Sequence, residues 1–209
     1  MRQVRRRLRT MTNDRISVRR ADDGTWDVSI RRHRGGHQVE GTRLVRDLEN
    51  AHDRSGNPLT ITIDVAYGLS GGSTAEPTSR PNDTNGQGSG ALIRFDPTFS
   101  LTADVRGQLP GSRAVGRGDV PNWAILAHEL IHAHHYVQGN VSRVRQANTW
   151  TDASGVPQTQ LASTEEYRTI GLPGFASAND ITEHRLLTER SRYALPRNRR
   201  LADRLRLAH

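Results

Sequence analysis

The residues in this chain best suited to chemistry are His128, Glu129 and His132, an HExxH pattern within residues 120–139 (Val-Pro-Asn-Trp-Ala-Ile-Leu-Ala-His-Glu-Leu-Ile-His-Ala-His-His-Tyr-Val-Gln-Gly). At about 100° per residue, His128 and His132 stand on one helix face, one turn apart. Two imidazoles so placed are adjacent ligands for a tetrahedral Zn²⁺, one ion per chain. Glu129, beside the first histidine, reaches a water at such an ion and takes its proton. The chemistry implied is hydrolysis with Glu129 as general base. The plainer alternative is a polar-faced helix with two incidental histidines.

A catalytic zinc site takes a third protein ligand and keeps one position open. The chain has no cysteine, so that ligand is His, Asp or Glu. One class of zinc peptidase places Gly three residues and His six residues after the second histidine. Here those positions hold His135 and Gln138, which excludes that class. His135 itself, further along a straight helix, overshoots the ion. A carboxylate from downstream remains: Glu165, Glu166 (34 residues past His132) or Glu183. Each has a plainer reading. Ser163-x-x-Glu166 is a capping box, and Asp180-x-x-Glu183 has the same spacing. Spacing alone leaves the three glutamates unranked.

These residues must be positioned by helices. Pro121 suits the first turn of the HExxH helix, Asp119 is a cap just ahead of it, and Gly139 suits the exit. Leu126, Leu130, Ala133 and Val137 fall on the face opposite the histidines and pin the helix to a core.

Along the chain, residues 1–20 read as a basic, weakly ordered arm and residues 21–209 as one zincin-like metallopeptidase domain. Residues 25–31 and 59–67 alternate as strands, residues 41–52 have helical spacing, and residues 91–96 return as a strand before Pro97. Residues 68–90, rich in Gly, Ser, Thr, Asn and Pro, read as a long surface loop that walls or covers the site. Residues 98–119 read as irregular and 140–160 as a polar loop. The fold class expected is α+β, with a small sheet packed on the HExxH active-site helix. The strand at 91–95 is expected to offer its edge to an extended peptide substrate.

Composition narrows the partners. All 30 basic residues are arginine, against 22 acidic ones, for a net charge of +8. A GC-rich genome explains such a bias. A protein working in a foreign cytosol explains it too, since it offers no lysine for ubiquitination. Residues 2–20 and 185–206 carry eight arginines each. Without aromatic residues interleaved in the first run, these clusters give only weak support for nucleic-acid binding. No apolar run is long enough for a transmembrane helix, and the basic N-terminus has no apolar stretch behind it to make a Sec signal peptide.

The motifs resemble known families. His128-Glu-Leu-Ile-His-Ala-x-His-x-x-x-Gly139, followed by Glu165-Glu-x-Arg-Thr-x-Gly171, resembles the zinc site of clostridial neurotoxin light chains. From residue 41 to residue 193 the chain is similar to NleD-like bacterial effector metallopeptidases. The shared features are Asp96-Pro97, Leu-Ala-His-Glu-Leu-Ile-His-Ala, Glu-Glu-x-x-Thr-x-Gly, Ile181-Thr-Glu183 and Arg190-x-x-Tyr193. The sequence departs where His184 replaces a common asparagine and where a Gly-Leu-Pro before the arginine is missing.

The resemblance implies Glu166 as third zinc ligand with Glu165 behind it, and Arg190 and Tyr193 stabilising the oxyanion. It implies a zinc endopeptidase acting as a toxin or effector. Such a protein is cytoplasmic before a secretion or injection apparatus delivers it to a target cell, where it cuts a protein. The alternatives are an intracellular regulatory zinc peptidase and a basic nucleic-acid-binding protein whose HExxH is incidental.

Overall fold

The computed structural model describes residues 2–20, 26–70, 72–99, 121–151 and 157–193. Asp119 lies outside them, as does the stretch expected to be irregular from residue 100 on.

The HExxH run forms α3 (Asn122–Gln138), 17 residues long, and four helices and two strands of the described chain pack against it. Pro121 is its N-cap, with extended backbone, and Gly139 ends it at φ 65°. That left-handed conformation suits glycine, and a Cβ there would meet the Gly86 backbone at 2.7 Å. Leu126, Leu130 and Ala133 are buried as expected, and Val137 packs against the core. Burial goes further: Trp123, Ile125, Ile131 and Tyr136 are covered as well, so α3 is central rather than one-sided.

The basic arm expected over residues 1–20 is instead a helix and a strand. α1 (Arg2–Met11) buries Val4, Leu8 and Met11, spaced four and three residues apart, against α3. Arginine is a good helix former, so a run of it disguises an amphipathic helix as a solvated tail. β1 (Arg15–Arg20) then pairs antiparallel with β2 (Trp26–Arg32). Between α1 and β1, Asp14 is a fully buried carboxylate held bidentately by Arg46, at 2.6 and 2.8 Å. Arg46 stands on α2 (Val39–Glu49), so one ion pair ties three elements together.

The sheet that positions the site has three strands. β5 (Ala91–Phe95) lies in the middle, parallel to β3 (Ile61–Val65) and antiparallel to β4 (Ser73–Pro77). Ala91, Ile93 and Phe95 alternate into the core. Two expectations change here. The stretch 68–90 contains a strand, β4, and the sheet edge beside α3 belongs to β4, because β5 is paired on both sides. Ser-Thr-Ala-Glu-Pro carries no apolar alternation, which is why β4 is hidden in the sequence. The rest of the stretch clasps the end of α3: Ser89 N–H donates to the Tyr136 carbonyl and Gly86 N–H to the Gly139 carbonyl, both at 2.8 Å.

The polar loop expected over 140–160 contains most of an antiparallel ribbon, β6 (Arg145–Thr151) with β7 (Pro157–Ser163). Its described side chains are largely exposed, so no burial pattern marks it. The Tyr167 phenol anchors it, 2.7 Å from the Gln160 carbonyl and 3.2 Å from that of Gln146. α4 (Thr164–Ile170) follows directly, and α5 (Glu183–Tyr193) closes the described chain. No helix among the described residues is long and apolar enough to cross a membrane. The architecture is α+β, with a small sheet packed on the HExxH helix, as the sequence predicts.

Candidate active site

On α3 the Nε2 atoms of His128 and His132 face each other at 3.1 Å. The Glu166 carboxylate meets both, Oε1 at 3.1 Å from His128 Nε2 and Oε2 at 3.3 Å from His132 Nε2. Ligand bonds of 2.0–2.1 Å at tetrahedral angles set neighbouring zinc donors about 3.3 Å apart. The three side chains therefore fit a zinc ion by donor chemistry and by spacing, and they form the one candidate metal cluster among the described residues.

The far nitrogens fit as well. His128 Nδ1 lies 3.1 Å from Glu183 Oε2, and His132 Nδ1 lies 3.2 Å from Glu165 Oε1 and 3.2 Å from Thr169 Oγ1. A carboxylate that accepts from Nδ1–H fixes the tautomer and leaves the Nε2 lone pair for a metal. Glu165 is shared with His135, whose buried Nδ1 sits 2.5 Å from the same Oε1. His135 thus meets the glutamate behind His132 rather than the ligand cluster.

Neighbouring side chains take different roles because helix geometry turns successive residues by about 100°. Ser163 caps α4 by accepting the Glu166 N–H at 3.2 Å, while the Glu166 side chain turns to the histidines. The capping reading and the ligand reading of Glu166 therefore coexist. Asp180 does not cap α5: it pairs with Arg168 at 2.8 and 3.1 Å, and Thr182 Oγ1 accepts the Arg185 N–H.

Burial drives the His128 pKa down, but the Glu166 and Glu183 carboxylates outweigh it and lift it well above the usual value. His132 is raised in the same way by Glu165 and Glu166. Burial pushes Glu166 up, and hydrogen bonds from His128 and His132 hold it well below the carboxylate range. Glu165 is held at about 2 against its burial by His132 and His135. Groups arranged to attract a proton this strongly attract a cation too, and the two compete for the same nitrogens.

Glu129 is buried and faces the same cavity, of about 570 Å³, as His128, His132, Glu166 and Glu183. Ser73 Oγ of β4 donates to Glu129 Oε1 at 2.8 Å. Sequence reasoning passes over Ser73, since a serine in a Gly/Ser-rich stretch carries no signal. Thr169 is passed over too, although its place one turn past Glu165 on the same helix face is a signal that marks it. Arg190 is half-buried, two turns along α5 from Glu183, and outside the cavity wall. Tyr193 is the last residue of α5, and its side chain lies outside the described part of the structure.

An HExxH helix whose histidines converge with a downstream glutamate defines the metallopeptidase class. Residues 12–200 match the profile of Peptidase_M91, an effector protein family, and the chain belongs to it. The motif-based resemblance to effector metallopeptidases therefore holds at family level. No curated protein matches significantly.

Among solved structures, the chain is similar to the apo, zinc-removed form of the botulinum neurotoxin type C light chain (TM-score 0.44, 14% identity, 80% of this chain and 47% of that one). It is also similar to the botulinum neurotoxin serotype C1 light chain protease (TM-score 0.42, 16% identity, 79% of this chain and 47% of that one). The chain spans about half the length of these light chains.

Proposed function

We propose that the chain is a zinc endopeptidase, with one Zn²⁺ held by His128, His132 and Glu166, that cuts a protein inside a target cell. The observation that carries this reading is the convergence of both Nε2 atoms and the Glu166 carboxylate beside Glu129 in one cavity. When bound there, zinc supplies Lewis-acid polarisation of the scissile carbonyl and makes a water acidic enough to lose its proton near neutral pH.

The chain's own residues do the rest. Glu183 and Glu165 hold the imidazoles in the ligating tautomer. Glu129, steadied by Ser73, takes the proton of the attacking water and passes it to the leaving amine. The motif resemblance assigns oxyanion stabilisation to Arg190 and Tyr193; Arg190 stands on the Glu183 face of α5, two turns along and outside the cavity lining.

The substrate lies along β4. Gly72 and Thr78 pair with neighbours of β5, through Asp96 N–H to Gly72 O and Thr78 N–H to Gly90 O. In an antiparallel ladder the alternate residues, Ser73 and Ala75, then turn their N–H and C=O groups to the other edge, where the Ala75 carbonyl also accepts the Tyr136 phenol at 3.1 Å. An extended peptide pairs with that edge and passes Glu129. Delivery into another cell is supported by the effector family and by a sequence whose basic residues are all arginine. The test is Glu129→Gln, which keeps the zinc ligands and removes the base.

A further inference from the structure

The cavity has a second charged feature that the hydrolytic chemistry does not use. Four carboxylates line it, those of Glu129, Glu165, Glu166 and Glu183, and all four are engaged by Ser73 or by histidines. One arginine lines it among the described residues, Arg143. Its guanidinium is held through Nη2 by Oδ2 of Asp83, whose side chain is fully buried, while 42% of the Arg143 side chain remains exposed. The contact uses one carboxylate oxygen, and a guanidinium has five N–H donors in a fixed fork.

The fold invests structure in this pair. Asp83 sits in the stretch that clasps the end of α3, and its backbone carbonyl accepts the Val141 N–H at 2.9 Å. The next residues are tied to α4, since Thr164 N–H donates to the Val144 carbonyl at 2.8 Å and Glu165 N–H to that of Ser142 at 3.2 Å. Arg143 is therefore held from both sides at the cavity wall. It is near Tyr136, whose phenol donates to the Ala75 carbonyl at 3.1 Å. Ala75 is two residues, about 7 Å, along β4 from Ser73 and hence from the Glu129 end.

We propose that Arg143 forms a subsite for an acidic side chain of the substrate, Asp or Glu, within about two residues of the scissile bond. This rests on the peptidase reading. A planar, permanently charged fork anchored on one side recognises a second carboxylate on the other. The carboxylate-rich remainder of the cavity repels acidic side chains from other positions, which makes the preference positional.

The zinc-loaded full chain is given a random-sequence peptide library, and cut sites are profiled by mass spectrometry for wild type, Arg143→Gln and the double variant Asp83→Asn/Arg143→Gln. The double variant removes the unpaired buried charge that Arg143→Gln alone leaves behind. The expected result is enrichment of Asp and Glu at one position near the cut in wild type, falling about tenfold in both variants. Binding of a Glu-containing peptide to Glu129→Gln, against its Gln counterpart, should show the same preference without turnover. Cleavage by wild type with no acidic enrichment, or enrichment that survives in the double variant, overturns the subsite and leaves the peptidase reading standing. No cleavage of any peptide overturns both.

Discussion

Ser73 and Glu129, 56 residues apart in sequence, meet through a 2.8 Å hydrogen bond from the serine hydroxyl to the carboxylate. The sheet edge and the HExxH helix are joined at the side chain proposed as the general base. Truncating the serine leaves the zinc ligands untouched and lets the glutamate wander. Ser73→Ala should lower kcat by roughly ten- to a hundredfold with little change in KM or zinc content, and Ser73→Thr should restore much of it. An unchanged kcat would remove Ser73 from the machinery.

Glu166 and Glu183 both touch His128, on opposite nitrogens, and this predicts two different losses. Glu166→Ala should release zinc on dialysis. Glu183→Gln should keep it while weakening affinity by about ten- to a hundredfold, as for other residues that orient a ligand. Zinc competition titrations separate the two. The reverse result would move the ligand to Glu183.

Much of the candidate site was legible because helix periodicity is strict. His128, Glu129, His132, Gly139 and the buried face of α3 follow from a 3.6-residue repeat and one turn signal. Glu166 needed the motif resemblance, since its spacing also makes a cap, and the structure gives it both contacts. What stayed hidden lacked an apolar signature. β4 has a polar sequence and is packed on one side only, β6 and β7 are exposed, and α1 masks three core residues among arginines. Tertiary pairings such as Ser73 with Glu129 and Arg143 with Asp83 leave no periodic trace at all.

The place of α1 in the core gives a stability test. Leu8 is 3% exposed in the cluster that includes Leu126 and Ile131. Leu8→Ala should cost about 2–4 kcal/mol in urea unfolding. Arg6→Ala, on the exposed face, should cost under about 0.5 kcal/mol. Equal, small effects would return residues 2–11 to a solvated arm.

Acid sensitivity should trace to Asp14. The Arg46 hydrogen bond holds its pKa at about 2, against burial, with help from the Arg34 N–H. A carboxyl depressed in the folded state stabilises fully above its unfolded value of about 3.9, and the contribution disappears as pH falls towards about 2. Unfolding free energies of wild type and Asp14→Asn should therefore differ at pH 6, draw together between about pH 4 and pH 2, and converge only below about pH 2. A gap that does not narrow would place the acid transition elsewhere.

The central claim is that Glu129 is the base of a zinc peptidase built on His128, His132 and Glu166. The most direct measurement is elemental zinc content and peptide-library cleavage, made together on wild type and Glu129→Gln. The expected result is one zinc per chain in both proteins, with cleavage in wild type and a loss of at least about a thousandfold in the variant. Zinc absent from reconstituted wild type, or cleavage undiminished in Glu129→Gln, would contradict the account.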